Sequence, residues 1–307
     1  MAEKQLALWK RIVLYALFGV ASLLFSFFIT FPYEALSDRA KAAADEAGLY
    51  LKMDNIGPGL FTVRATGVKL AKKAKPTDTT APEALDIDSV SVGPSLFPPG
   101  VKVSSSLLGG SAFARISLFG GVRFELDDID LSKGNVKGFS GIDLGGKLSA
   151  DVNLTVPRTK VGNGPAEPDL SQATGTISLQ GQGVGVNGGT LTVVIPQFGA
   201  EPTPLDLPKI VIGDINGKLS FDKGAGKVDE LATKSPDIEA NVSGTLKLAK
   251  RVDYSELAME VRFKPEPEFQ KRLGMVAMAL SAIGPDPKDT SWRLGRLSGF
   301  LGKPAFR

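Results

Sequence analysis

Four carboxylates lie within six residues of one another, at Glu125, Asp127, Asp128 and Asp130. Carboxylate oxygens are the ligands that Ca²⁺ and Mg²⁺ prefer in proteins. The group lacks the glycine and the terminal glutamate of an EF-hand loop, which arrange ligands around a calcium ion. We therefore expect a strand that ends in a turn, keep a metal site as the alternative, and assign no metal ligands.

The chain has no cysteine and no histidine. A Ser-His-Asp triad, imidazole metal ligands, thiolate catalysis, Cys-ligated zinc and disulfides are therefore excluded. Residues 183–188 fit the pattern G-x-G-x-x-G, but the residues TLTVVIP that follow are typical of a strand, whereas a dinucleotide site needs a helix there. We predict no catalytic residues, no cofactor and no enzymatic activity.

Composition places the protein among folded β-rich chains. Of its 307 residues, 43% are hydrophobic and 22% are charged, so the chain is neither disordered nor wholly embedded in a membrane. The 35 glycines and 20 prolines favour many turns and short strands. The net charge of +3 gives no electrostatic basis for nucleic-acid binding.

The stretch NVSGTLKLAKRVDYSELAMEVRF, residues 241–263, contains two runs in which every second residue is apolar. This period gives a strand one apolar and one polar face. The apolar face could serve an ordinary core, a partner or a bound lipid, and the alternation does not distinguish them. The candidate lipid- or core-facing positions, two of them from an earlier run, are Leu219, Phe221, Val242, Leu246, Leu248, Leu257, Met259, Val261 and Phe263.

Similar short runs, broken by Gly, Pro and Asn, continue from residue 49 onward and predict a meander of antiparallel strands. Residues 112–118 and 122–126 flank Gly120-Gly121, which predicts a hairpin. The alternation slips at Gly67, which predicts a β-bulge. Units of the form Gly-polar-apolar begin or lie inside such runs at Gly146, Gly175, Gly189, Gly217 and Gly244.

Two segments have helical periodicity instead. A short helix is predicted to end near Gly48, with an apolar stripe that comprises Tyr33, Leu36, Ala40, Ala43 and Ala47. A C-terminal amphipathic helix is predicted between Pro267 and Gly284, with apolar positions at Phe269, Leu273, Val276, Leu280 and Ile283. The second helix is expected to cover one end or edge of a sheet.

Residues 12–31 read IVLYALFGVASLLFSFFITF and carry no charge. A helix of this length spans about 30 Å, the thickness of bilayer hydrocarbon. Lys4, Lys10 and Arg11 precede it, so the positive-inside rule keeps the N-terminus in the cytoplasm. We predict a cytoplasmic tail over 1–11, a transmembrane helix from Ile12 to Phe31 and an exported β domain over 32–307, with a cleaved signal peptide as the alternative.

The segment GDINGKLSFDKGAGKVDELATKSPDIEANVSGTLKLAKRVDYSELAMEVRF resembles type II secretion system protein N (GspN) in its delta-proteobacterial and spirochaete form. The residues FPYEAL after the apolar segment and the closing WRLGRLSGFLGKPAF are similar too, so the resemblance covers most of the chain. A looser resemblance extends to AsmA-like and TamB-like envelope proteins. The family resemblance implies a single-pass inner-membrane protein with a periplasmic β domain, and the AsmA-like one implies a lipid-holding groove.

The expected fold is mainly β. A large, bent, mostly antiparallel sheet, AsmA-like and arranged as a groove or a sandwich, follows the transmembrane helix, with one short N-terminal helix and one C-terminal amphipathic helix. The expected function is that of a non-enzymatic inner-membrane component of type II secretion, and the alternative is AsmA-like lipid binding or transport. The expected partners are the bacterial inner membrane, type II secretion subunits and phospholipid, without nucleic acid.

Overall fold

A computed structural model of the chain describes residues 13–19, 22, 26, 30, 33–59, 62–73, 83–160, 166–194, 202–274, 277, 280 and 283–306. Of the predicted transmembrane segment, residues 13–19, 22, 26 and 30 are helical, and the others lie outside the described residues. Within the described part of the chain, no helix combines the length and the apolar character needed to cross a membrane.

The described residues are mainly in strands. The helices among them are α1 (Tyr33–Glu46), α2 (Val136–Ser140) and α3 (Pro267–Arg272), with 3₁₀ turns at Leu170–Gln172 and Val252–Tyr254. The first strands are β1 (Leu49–Pro58), β2 (Val63–Lys72), β3 (Leu85–Ser95), β4 (Gly100–Leu107), β5 (Gly110–Ser117), β6 (Gly121–Asp130), β7 (Ile142–Thr155), β8 (Arg158–Lys160) and β9 (Ala166–Pro168). The remaining strands are β10 (Thr174–Val194), β11 (Pro202–Leu207), β12 (Ile210–Asp222), β13 (Ala225–Lys234), β14 (Ile238–Lys247), β15 (Glu256–Pro265), β16 (Arg293–Phe300) and β17 (Lys303–Phe306).

Fifteen of the described strands form one sheet, in which neighbouring strands are antiparallel. Their order across the sheet follows the chain from β1 to β7, continues through β10 and β12, and ends at β17. Strand β11 lies beside the C-terminal part of β10. Strands β8 and β9 form a separate hairpin between β7 and β10. The predicted large antiparallel meander is confirmed.

Two local predictions about this sheet have opposite outcomes. The hairpin at Gly120-Gly121 is confirmed, because β5 and β6 pair from Ile116 and Val122 outward. The prediction of a β-bulge at Gly67 is wrong. Residues on both sides of Gly67 pair with β1 and β3 in one unbroken register, so no extra residue is inserted. The positive φ of 62° at Gly67 changes the alternation instead, and Ala65 and Val68 are both buried although they lie three positions apart.

The predicted N-terminal helix is confirmed as α1, which ends two residues before Gly48 and contacts β1. Its predicted apolar stripe is wrong beyond Leu36, because Ala40, Ala43 and Ala47 are exposed. The less exposed residues include Ser37 and Ala44, which lie two helical turns apart on one face. Alanine side chains are so small that they did not determine which side of the helix packs on the sheet.

The predicted C-terminal helix is confirmed over Pro267–Arg272, and Ala277 and Leu280 further along are helical as well. Helix α3 spans Pro267–Arg272, and both Phe269 and Leu273 are buried, as predicted. Gly274 follows with a positive φ of 53°, so α3 ends at Arg272, well before the predicted stop at Gly284. Leu280 packs against the buried pair, and Val276 lies outside the described residues.

Two small hydrophobic clusters lie at opposite ends of the central strands. One contains Leu154, Val156, Ala173 and Phe221, and it marks what we call the Phe221 end of the sheet. The other joins α3 to Leu207 and Ile210, and it marks the Ile210 end. A β-sandwich buries the inner faces of two sheets in one continuous core. Here the described residues contain one large sheet, and its face between the two clusters is not buried in that way.

Buried carboxylates hold the segments that cover these ends. At the Ile210 end, Asp237 accepts the N–H of Val211 (2.8 Å) and a hydrogen bond from the guanidinium of Arg272, which ties α3 to β12. At the Phe221 end, Asp169 accepts the hydroxyls of Ser171 (2.5 Å) and Thr159 (3.0 Å). The hydrogen bond from the Ser171 hydroxyl is the main cause that lowers the pKa of Asp169, although burial opposes it.

Asp286 makes a similar connection after α3. It accepts the N–H of Lys288 (2.8 Å) and a hydrogen bond from the guanidinium of Arg262 on β15. The Lys288 N–H is the main cause that lowers the pKa of Asp286, and Arg262 adds to it.

These lowered pKa values predict that stability falls in acid. Because Asp169 and Asp286 titrate at lower pH when folded, their stabilisation is fully present above about pH 4, the ordinary pKa of aspartate, and is lost as pH falls through the lowered values. We expect the urea midpoint to be lower at pH 3 than at pH 6. In the Asp169→Asn variant the difference between the midpoints at pH 3 and pH 6 should be smaller. Equal midpoints at the two pH values in the unchanged protein would refute the prediction.

Candidate functional site

The strand pairing places the nine predicted positions on one face of the sheet. Directly opposed residues of an antiparallel pair point to the same side. Phe221 lies opposite Gly226, which lies opposite Leu246, and Leu246 lies opposite Leu257. The other predicted residues of β12, β14 and β15 lie on the same side, because each is an even number of positions from one of these residues on its own strand. They are Leu219, Val242, Met259, Val261 and Phe263. Leu248 follows β14 two residues after Leu246 and packs on the cluster at the Phe221 end. We call this side the apolar face.

Burial on the apolar face depends on position. Phe221, Leu257 and Phe263 are buried, and they lie near the ends of their strands. The remaining six predicted positions are only half-buried. Their neighbours on the opposite face of β14 and β15, such as Thr245, Ala258 and Glu260, are exposed. The middle of the apolar face is therefore accessible to a ligand from the solvent side.

An apolar row that the sequence did not reveal crosses the whole sheet. Cross-strand pairing joins one residue from each of β1 to β7, β10, β12 and β13, namely Pro58, Val63, Val92, Val103, Ala114, Phe124, Val152, Ile177, Leu219 and Val228. After a register shift between β13 and β14, the row continues through Gly244, Met259, Leu297 and Phe306. We call these fourteen positions the apolar row.

The apolar row is long and accessible. It crosses fourteen strands, and at about 4.8 Å between strands it measures roughly 60 Å. Val228 is its one buried residue, and the other members are half-buried or exposed. A row of this length exceeds the size of a single small-molecule pocket.

Glycines on the apolar face bring neighbouring strands close together. Gly175 on β10 has a φ of 147° and Gly244 on β14 has a φ of 135°, conformations that L side chains rarely adopt. A Cβ at Gly175 would overlap the carbonyl oxygen of Asn153, and one at Gly244 would overlap that of Ala258. Glycine at these positions therefore permits a close approach of the neighbouring backbone that a larger residue would prevent.

A cavity of about 550 Å³ lies where the apolar face meets α3. Phe263 and Pro265 of β15 line it together with Leu273 and Leu280, and Lys264 and Arg293 add two cations. Its volume is within the usual range for ligand pockets, about 300–1,000 Å³. The Ile210 end of the apolar face therefore opens into a mainly apolar cavity under α3.

The acidic group considered for metal binding lies along β6. Glu125 forms an ion pair with Arg123, and Asp130 accepts the hydroxyl of Ser132 (2.6 Å), which is the main cause that lowers the pKa of Asp130. Within the described residues, no three acidic side chains lie together in an arrangement that could hold a metal ion. Residues 183–188 lie inside β10, where the pairing register shifts, so a strand follows them.

No protein-family model, curated protein or solved structure shows significant similarity to the chain. The resemblance to type II secretion system protein N stays a prediction. Within the described residues, the geometry alone defines the class: an antiparallel β protein with one large sheet, one face of which carries an apolar row from β1 to β17.

Proposed function

We propose that the protein binds acyl chains of lipids along the apolar row. The observation that carries this proposal is the succession of apolar residues paired across the sheet on both sides of the register shift between β13 and β14, most of which remain accessible to a ligand. Burying twelve methylenes of one chain would contribute roughly 10 kcal/mol before ordering costs. Because the row is about four times as long as the roughly 15 Å of hydrocarbon in one leaflet, several chains fit in line. This length favours movement of lipid along the sheet over storage of a single molecule.

We also propose that residues 12–31 anchor the chain in the bacterial inner membrane, with residues 32–307 in the periplasm. The uncharged apolar sequence and the preceding cations support this topology. An anchored sheet would receive lipid from the membrane surface without release of the protein. Extraction of the full-length chain by alkaline carbonate, which leaves spanning proteins in the bilayer, would contradict the anchor.

A role in type II secretion is the second proposal, and the resemblance of the sequence supports it. The stretch WRLGRLSGFLGKPAF, which carries part of that resemblance, forms β16 and β17 at one edge of the sheet. The outer backbone groups of an edge strand can pair with a strand of another subunit. Genes for the other secretion subunits next to the gene for this chain would support the role, and their absence would favour a lipid function alone.

Photo-crosslinking tests the lipid proposal on the full-length protein. A phospholipid with a photoactivatable group in its acyl chain is incorporated into vesicles with the protein, and crosslinked peptides are identified by mass spectrometry. We expect crosslinks in β12 and β15 as well as in residues 12–31. Crosslinks confined to residues 12–31 would show that lipid contacts only the anchor, and the proposal would fail.

A further inference from the structure

Two neighbouring hairpin turns at the Phe221 end of the sheet expose pairs of large apolar side chains. The turn between β3 and β4 presents Leu96 and Phe97, which are 77% and 90% exposed. The turn between β5 and β6 presents Leu118 and Phe119, which are 62% and 78% exposed. The N–H of Leu118 donates to the carbonyl of Pro99 (2.8 Å), so the two turns lie side by side.

The exposed apolar surface continues from the turns onto the adjoining strands. Val101 on β4 lies opposite Ile116 on β5, and both are exposed. We call these two residues and the four turn residues the tip patch. Scattered single hydrophobic residues on a surface need no explanation, but a contiguous group of this kind marks an interaction site.

Cations lie directly behind the tip patch. Lys102 on β4 lies opposite Arg115 on β5, although like charges in opposed positions destabilise a sheet. Neither side chain forms an ion pair or hydrogen bond with any other described residue, whereas Arg123, the next cation in line on β6, pairs with Glu125. An anionic partner outside the chain would relieve the repulsion between these two cations.

The spacing between the apolar and cationic residues fits a lipid surface. Lys102 and Arg115 lie two or three residues from the turns, which at about 3.4 Å per residue is roughly 7–10 Å. Peripheral segments place apolar side chains about 5–10 Å into the boundary between headgroups and acyl chains, with Lys and Arg at the level of the phosphates. The tip patch and its cations have this arrangement.

We propose that the tip patch inserts into the surface of a membrane that contains anionic phospholipids, with Lys102 and Arg115 bound to the phosphates. The proposal uses residues that are not members of the apolar row, and it does not depend on acyl binding there. Helix α1 joins β1 at the Ile210 end, opposite to the tip patch along the strands. The membrane reached is therefore either the one that holds the anchor or a second one that faces it.

Site-specific fluorescence tests this insertion, because the chain has no native cysteine. Phe97→Cys and Phe119→Cys are labelled separately with an environment-sensitive fluorophore, and Ser106→Cys, exposed at the other end of β4, is the control. The full-length proteins are reconstituted in vesicles of phosphatidylethanolamine and phosphatidylglycerol. A spin-labelled quencher lipid is placed in the same vesicles, or in added vesicles, to distinguish the two membranes.

We expect quenching at positions 97 and 119 in one of the two arrangements, at least several-fold stronger than at position 106. Quenching should fall when phosphatidylglycerol is omitted and in the Lys102→Glu, Arg115→Glu variant. Absence of quenching in both arrangements, equal quenching at position 106, or no dependence on phosphatidylglycerol would overturn the proposal. A spectral shift without quenching that grows with protein concentration would identify a second copy as the partner and would also overturn it. The Phe97→Asp, Phe119→Asp variant should retain acyl crosslinks in β12 and β15, which separates this test from that of the acyl-binding proposal.

Discussion

Photo-crosslinking of acyl lipid to β14–β16 is expected to fall about a hundredfold when Met259 is changed to aspartate. Met259 lies on β15 in the C-terminal part of the apolar row, half-buried, opposite Gly244 and Leu297. A charged side chain among acyl chains costs about 2.5–3.5 kcal/mol on insertion scales. Because 1.4 kcal/mol corresponds to a factor of ten in an equilibrium, bound lipid should fall by about two orders of magnitude.

Ala258→Asp is the matched control for this change. Ala258 is the preceding residue of β15 and lies on the exposed polar face, so the same charge is added next to the row without entering it. We expect this variant to retain crosslinking, and both variants to retain the circular dichroism of a β protein. If Met259→Asp unfolds the protein, the apolar face is a closed core, and the acyl-binding proposal is wrong. Equal losses in both variants would refute it as well.

Changing Gly175 to alanine is expected to destabilise the sheet by roughly 3–5 kcal/mol. The φ of 147° at Gly175 lies in a region used almost only by glycine, which costs about 1–3 kcal/mol for other residues. The added methyl group would also overlap the carbonyl oxygen of Asn153, so β7 and β10 must move apart. These strands form the longest pairing of the sheet, so the loss should appear as a large drop in the urea midpoint.

Gly57→Ala gives the comparison for this prediction. The substitution is identical, but Gly57 lies on the edge strand β1, its φ is outside the left-handed region, and no atom lies within 4 Å of the added methyl group. We expect a change of less than about 1 kcal/mol there. Similar midpoints for the two alanine variants would show that the close approach of strands at Gly175 does not limit stability.

Local sequence patterns predicted much of the fold. The alternation over residues 241–263 correctly predicted β14 and β15 and the shared side of their apolar residues, because the period of two is a property of the strand itself. Gly120-Gly121 predicted its hairpin because turn geometry is also local. Gly67 was misread because a slip in alternation looks the same whether a residue is inserted or a glycine takes a positive φ.

The larger features needed the structure because they depend on register. Val92, Val103 and Ala114 come from three separate runs, and only the pairing shows that they adjoin one another and continue to Phe124. The tip patch was not predicted for a different reason. Alternation of apolar residues identifies strands, and four residues of the patch lie in turns. A usable signal was present in the sequence, because Leu96-Phe97 precedes Pro-Pro-Gly and Leu118-Phe119 precedes Gly-Gly, and turn residues are usually polar.

The order of strands in this sheet has a consequence for how the protein can evolve. Because almost every strand pairs with the strands next to it in the chain, a duplicated hairpin can be inserted at any turn without disturbing distant pairings. Each such duplication would extend the molecule by about 10 Å, twice the distance between strands. Related proteins could thus differ in the width of the sheet through the number of duplicated hairpins alone, while their first and last strands stay the same.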